Sequence, residues 1–316
     1  MPNPAPSTDF RGVFPILATP FHEDESVDLE SMQRMVGFMA RIGVDGVTVL
    51  GVLGESNRMT DRDREAIVRA SVEAAGDLPV IVGTSHPGTN ATIELSQMAE
   101  SLGAAAVMVA PSYEPIPGDD RVLDYFGRVG AAIDIPLVAQ DHPASTQVHM
   151  PVPLLIRIIE QVPAVACLKE EGVPTPARVA ALRRGMTTRQ VPVLTGLGAL
   201  YGLYDLEQGS AGFNTGFAFP EVLMAMVRAA QAGDWTAARE LYARFLPLIV
   251  FEQQPGVAIR KEILRRRGLI AGAHVRHPGA GLAREIEEQL TRVLDWTLPG
   301  VDLTQPLALE AVVPRG

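Results

Sequence analysis

Ala164-Val165-Ala166-Cys167-Leu168-Lys169 is a short apolar run that ends on one of the two lysines in the chain. Apart from Lys261, every other basic charge is an arginine, so surface charge here is ordinarily carried by guanidinium. The run reads as a buried β-strand. A lysine kept at its end points to chemistry that arginine cannot perform. Guanidinium stays protonated, whereas a desolvated ammonium can lose its proton and become a nucleophilic amine. The competing reading is a lysine that snorkels or ion-pairs at a strand end.

On either side of this run, short aliphatic stretches alternate with segments of helical period. Strands are expected at 13–18, 46–50, 80–83, 106–110, 137–140, 165–169, 191–194 and 212–214. Helices are expected between and after them at 29–42, 61–75, 90–102, 119–132, 153–161, 176–184, 199–207 and 221–232. Cap chemistry fits these boundaries. Thr60-Asp61-Arg62-Asp63 places acids in a first helical turn, Gly76-Asp77 closes that helix, and Pro79 opens the next strand. The strands are apolar throughout rather than alternating, which indicates parallel strands covered on both faces. Eight such strands, each followed by a helix, are most economically closed into an α/β (β/α)8 TIM barrel. An open doubly wound sheet is the rival, but no Gly-x-Gly-x-x-Gly follows the first strand.

The expected organisation is a disordered lead at 1–10, the barrel at 11–233, a C-terminal helical extension at 234–298 and a Pro-rich tail at 299–316. Helices in the extension are expected at 235–251, 257–267 and 281–294. They would cover a flank of the barrel or form a subunit contact.

Composition excludes several classes of partner. A net charge of −10 without a basic block argues against nucleic acid. Apolar residues make up 47% of the chain and aromatic ones 5%, enough for a large aliphatic core. Cys167 is the single cysteine, which excludes an internal disulfide and fits a reducing compartment. The opening Met1-Pro-Asn-Pro-Ala-Pro has no basic region and no apolar core, so a signal peptide is not expected. No apolar stretch reaches membrane-spanning length uninterrupted. The expectation is a soluble cytoplasmic protein without a membrane partner.

In such a barrel the active site lies at the C-terminal ends of the strands. Those ends supply Gly51–Asn57, Pro111-Ser112-Tyr113, Gln140-Asp141-His142 and Lys169-Glu170-Glu171. An amine nucleophile with acids and bases around it is what carbonyl chemistry requires. Residues two apart on a strand share a face, so Lys169 and Glu171 should point together and Glu170 towards the helices, in an ordinary salt bridge. Tyr113 either orients substrate, donates a proton or is a rim aromatic. His142 and Asp141 are adjacent and point apart, which favours a loop hydrogen bond over a relay. His86 either reaches the mouth of its own barrel or of a neighbouring subunit, or is a solvated loop histidine, the reading favoured here. The scattered histidines lack metal-ligand spacing, and Gly196-Leu197-Gly198 lacks a phosphate-loop pattern, so neither a metal nor a cofactor is expected.

Three of these stretches carry a resemblance. Gly51-Val52-Leu53-Gly54-Glu55 matches the Gly-x-x-Gly-Glu loop of the dihydrodipicolinate synthase and N-acetylneuraminate lyase family. Val165–Glu170 is similar to that family's Schiff-base lysine strand, and Ala110-Pro111-Ser112-Tyr113 to its Pro-x-Tyr. The resemblance runs in order over roughly residues 11 to 270. It implies a homo-oligomeric, often tetrameric, barrel that acts on 2-oxo acids through an imine on Lys169. The loop's backbone amides would grip the substrate carboxylate, and Glu55 would hold the loop through backbone amides.

The departures narrow the reading. The family's proton-shuttling tyrosine after strand five is replaced by Gln140, its loop hydroxyl pair by Val52-Leu53, and its arginine by Ser145. A synthase would lose most of its proton relay with these changes. Gln140-Asp141-x-Pro143 with Lys169-x-Glu171 looks like the branch containing L-2-keto-3-deoxyarabonate dehydratase, in which the glutamate two residues past the lysine moves protons. The expected catalytic set is therefore Lys169, Glu171 and Tyr113. The expected substrate-binding set is Gly51, Val52, Leu53, Gly54, Gln140, Ser145, Gly196 and Phe213. The expected function is a Schiff-base lyase, foremost a dehydratase of a 2-keto-3-deoxy sugar acid. Alternatives are a class I aldolase that releases or condenses pyruvate, and a 2-oxo-acid-binding protein without turnover.

Overall fold

The computed structural model describes residues 9–112, 118–254 and 256–309. Eight strands alternate with helices. They are β1 (Gly12–Pro15), β2 (Val47–Val49), β3 (Val80–Gly83), β4 (Ala106–Val109), β5 (Leu137–Asp141), β6 (Val165–Glu170), β7 (Val193–Thr195) and β8 (Gly212–Thr215). All pair in parallel, and β8 returns to β1. A parallel bridge between Ile16 and Thr48, with Leu17 N–H donating to the Thr48 carbonyl at 2.8 Å, joins β1 to β2 and closes the barrel.

Helices α1 (Leu29–Ile42) and α2 (Asp61–Ala75) coincide with their expected spans. Local sequence fixes both ends of each. Asp28 caps α1 and Gly43 ends it at φ 76°, while Thr60 and Asp63 form a capping box on α2. Next come α3 (Thr89–Ser101), α4 (Asp119–Gly130), α5 (Pro143–Thr146), α6 (Val152–Gln161), α7 (Thr175–Gly185), α8 (Gly202–Glu207) and α9 (Pro220–Gln231). Beyond the eighth unit lie α10 (Trp235–Phe251), α11 (Ala258–Arg266) and α12 (Arg284–Thr297), with α10 packed on α9 and α12.

Three differences from the expected elements have physical causes. The four-residue α5 is too short to show a hydrophobic period. The helix expected at 199–207 is broken: a 3-10 turn at Leu197–Ala199 precedes α8, with Leu197 at φ 53° and Ala199 at φ 62°. That turn serves the strand-end face, as described below. The last helix spans Arg284–Thr297 rather than 281–294, and its extra last turn lets Thr297 join Leu290 and Leu294 on the buried face.

Alternation along the strands separates two apolar layers. Phe14, Ile81, Met108, Val138, Cys167 and Leu194 fill the lumen, and a larger cluster lies between strands and helices. On β6 the alternation is re-phased: Leu137 pairs with Val165 but Val138 pairs with Cys167, so Ala166 is an extra residue. From this bulge onwards Cys167 and Lys169 face the lumen while Leu168 and Glu170 face the helices.

Candidate active site

Lys169 stands above Cys167 at the C-terminal end of the lumen. Its Nζ lies 3.1 Å from Glu171 Oε2, with the two side chains 2% and 6% exposed. The strand formally ends at Glu170, yet Glu171 N–H still donates to the Asp141 carbonyl at 2.8 Å, so the pairing carries Glu171 onto the lysine's face. Burial depresses the Lys169 pKa, opposed by the Glu171 charge. Burial pushes Glu171 up, but Lys169, His142 and the Gln140 amide outweigh it and hold the carboxyl below its usual range.

Gln140, expected to bind substrate, lines a cavity at the strand ends and also donates from Nε2 to Glu171 Oε2 at 2.7 Å. The other carboxylate oxygen accepts from Leu197 N–H at 3.2 Å. This is the purpose of the left-handed turn after β7, which aims an amide inward instead of continuing a helix. Gly196 is equally constrained, because a Cβ there would fall on the Glu171 carboxylate. Glu171 is thus held by an ammonium, a side-chain amide and a backbone amide.

The cavity at the strand ends, of about 320 Å³, reaches the Lys169–Glu171 pair through Gln140, and its lining also includes Gly51, Val52, Met108 and Ser145. A larger cavity, about 1070 Å³, lies at the opposite, N-terminal end of the strands, away from this chemistry. In the loop after β2, Gly54 N–H donates to Gly51 and Glu55 N–H to Val52. These bonds close a 3-10 turn and leave its first amides, on Val52 and Leu53, without a partner inside the turn. Leu50 and Glu55 flank it at φ 56° each, a conformation that non-glycine residues adopt only when their surroundings hold them there.

Other expected site residues fall as follows. Leu53 turns away to pack against Gly216 at the end of β8, and Gly54 is buried with its carbonyl accepting from Thr19 Oγ1 at 2.8 Å. Phe213 requires correction. It is fully buried in the strand–helix layer, against Gly202, because alternation on β8 turns Asn214 rather than Phe213 into the lumen, where it bonds Thr48. Ser145 pairs with His142 Nδ1 at 2.5 Å, the loop hydrogen bond expected for that histidine, and burial lowers the His142 pKa. His86 is exposed on its loop. Tyr113 lies outside the described residues.

Glu55 accepts from Arg276 N–H at 3.1 Å and is ion-paired with Lys261 and with Arg58. The pairing of Lys261 with a residue far away in sequence leaves no local signal.

Known proteins agree with this architecture. The model of the dihydrodipicolinate synthetase family matches residues 9–296. L-2-keto-3-deoxyarabonate dehydratase of Azospirillum brasilense is 34% identical over 90% of this chain and 93% of its own. The 4-hydroxy-tetrahydrodipicolinate synthase 2 of Streptomyces coelicolor is 32% identical over 96% of this chain and 99% of its own. The crystal structure of dihydrodipicolinate synthase from Rhodopseudomonas palustris superposes with a TM-score of 0.87 at 34% identity, covering 92% of this chain and 98% of that one. A closed barrel with a buried lysine at its strand ends and a family match over nearly its whole length place the chain in the dihydrodipicolinate synthetase family, as a lyase of the Schiff-base type.

Proposed function

We propose that this lyase dehydrates a 2-keto-3-deoxy sugar acid, with Lys169 as the imine-forming nucleophile and Glu171 as the proton-transfer group. The observation that carries the reading is the buried Lys169–Glu171 pair, 3.1 Å apart, at a mouth whose family tyrosine is replaced by Gln140. The Lys169 amine attacks the C2 carbonyl and water leaves, giving an iminium that acidifies C3. Glu171 takes the C3 proton to form the enamine. The same carboxyl, now protonated, returns that proton to the C4 hydroxyl as the enamine electrons expel it as water. Hydrolysis of the unsaturated imine frees the lysine.

Val52 and Leu53 amides would hold the substrate carboxylate, with Gly51 clearing the approach and Ser145 on the far rim of the cavity. Tyr113 is retained in the proposal as a substrate-orienting residue. The 2-oxo acid would be met by a homo-oligomer of this chain, which sedimentation reads directly.

The test is a panel of 2-keto-3-deoxy sugar acids. Formation of a dehydrated product without pyruvate supports the proposal. Release of pyruvate assigns aldol cleavage instead, and a trapped imine without any product leaves a binding protein.

A further inference from the structure

The alternation that turns Lys169 and Glu171 inward turns Asp141 and Glu170 outward, side by side on β5 and β6 and beneath α7. Both are fully buried. Arg178 of α7 reaches between them, with Nη2 2.5 Å from Asp141 Oδ2 and Nε 2.9 Å from Glu170 Oε1. Its Nη2 also donates to the Met150 carbonyl at 2.8 Å, and Gly172 N–H donates to Glu170 Oε1 at 2.6 Å. These contacts use one oxygen of each carboxyl group. The other two, Asp141 Oδ1 and Glu170 Oε2, are buried without a partner among the described residues. Two buried anions against one cation, each with an orphaned oxygen, is an expensive arrangement. One proton removes both defects at once.

We propose that Asp141 and Glu170 share a proton, Glu170 Oε2–H donating to Asp141 Oδ1, and that this acid–carboxylate clamp ties β5 to β6 behind the active site. Gln140 and Glu171 are the chain neighbours of the two clamp residues, so the clamp positions them without touching substrate. The charged groups facing it are Arg178 from α7 and Glu171 beyond the end of β6. Burial, reinforced by the Asp141 charge, pushes Glu170 up to about 8, and burial raises Asp141 to about 6 against the pull of Arg178. A carboxyl raised in the folded state contributes stability that is full at low pH and lost as pH rises through its folded value. The clamp therefore weakens as pH passes about 8.

Infrared spectroscopy of the full chain tests this independently of which 2-oxo acid is turned over. At pH 7 the wild type should show a protonated-carboxyl carbonyl stretch that is missing from Glu170→Gln and that fades as pH rises through about 8. The difference spectrum is needed because burial also raises Glu252 to about 7 and Asp205 to about 6. Asp141→Asn gives the same loss, since its amide replaces the shared proton and leaves Glu170 ionised. A second readout, which does rest on the Schiff-base reading, is borohydride trapping with pyruvate against pH. The wild-type rate should fall at least about threefold through the clamp's ionisation, and Glu170→Gln should abolish that fall. No difference band in either variant, or an unchanged alkaline fall in Glu170→Gln, overturns the proposal. Failure to trap any imine, with the band present, would refute the role of Lys169 and leave the clamp standing.

Discussion

The chain's two lysines are both buried, and the difference between them separates the proposed nucleophile from a strut. Lys261, on α11, is ion-paired with Glu55, donates to the His274 carbonyl at 2.7 Å and lies 4.3 Å above the Phe21 ring. Its ammonium is engaged by a carboxylate, a carbonyl and an aromatic face. Burial lowers its pKa to about 8, so a depressed pKa alone does not mark a catalytic lysine. Lys169 has one carboxylate partner, which is itself held in place by Gln140 and Leu197, and Gln140 in turn lines the strand-end cavity. The first lysine ties the loop after β2 to the C-terminal helices. The second is buried beside a base that Gln140 links to the strand-end cavity.

The largest effect expected is from Lys169→Arg. It keeps the charge but cannot form an imine, so kcat/KM should fall by roughly 10⁴-fold or more, as when a covalent nucleophile is removed elsewhere. Residual activity near wild type would erase the contrast between the two lysines. Glu171→Gln should come next, cutting dehydration about a hundredfold or more while an imine can still be trapped. Because the Glu171 charge holds the Lys169 pKa up against burial, the variant should also form its imine at lower pH than the wild type. A normal rate in this variant would reduce Glu171 to a salt-bridge partner. Gly196→Ala should displace the same carboxylate through its backbone neighbour, lowering kcat by about tenfold to a hundredfold with the fold intact by circular dichroism. The smallest effect on chemistry belongs to Lys261→Met. It leaves Glu55 short of its buried partner and should lose about 3 kcal/mol of stability, seen as a lower Tm, while trapping stays on Lys169.

Much of this contrast is legible in the sequence, but unevenly. Strand and helix periods are local properties, and so are caps such as Asp28, Thr60 and Asp234, which explains why α1, α2 and α10 begin and end at their expected residues. The shared face of Lys169 and Glu171, and the outward turn of Glu170 onto Arg178, follow from a two-residue repeat. The partners of Glu171 do not follow from any repeat. Gln140 is 31 residues away and Leu197 is 26, and each meets it only because the barrel closes. The clearance at Gly196 and the left-handed turn after it are visible only once Glu171 is in place. Phe213 shows the opposite failure: a strand-end residue was assigned to the pocket without the phase of β8, and that phase points it at the helices.

Borohydride reduction in the presence of pyruvate, followed by peptide mass mapping, tests the central claim most directly. The ligand's mass should appear on the peptide containing Lys169 and be absent from the one containing Lys261. An adduct on Lys261, or no adduct at all, would contradict the assignment of Lys169 as the nucleophile.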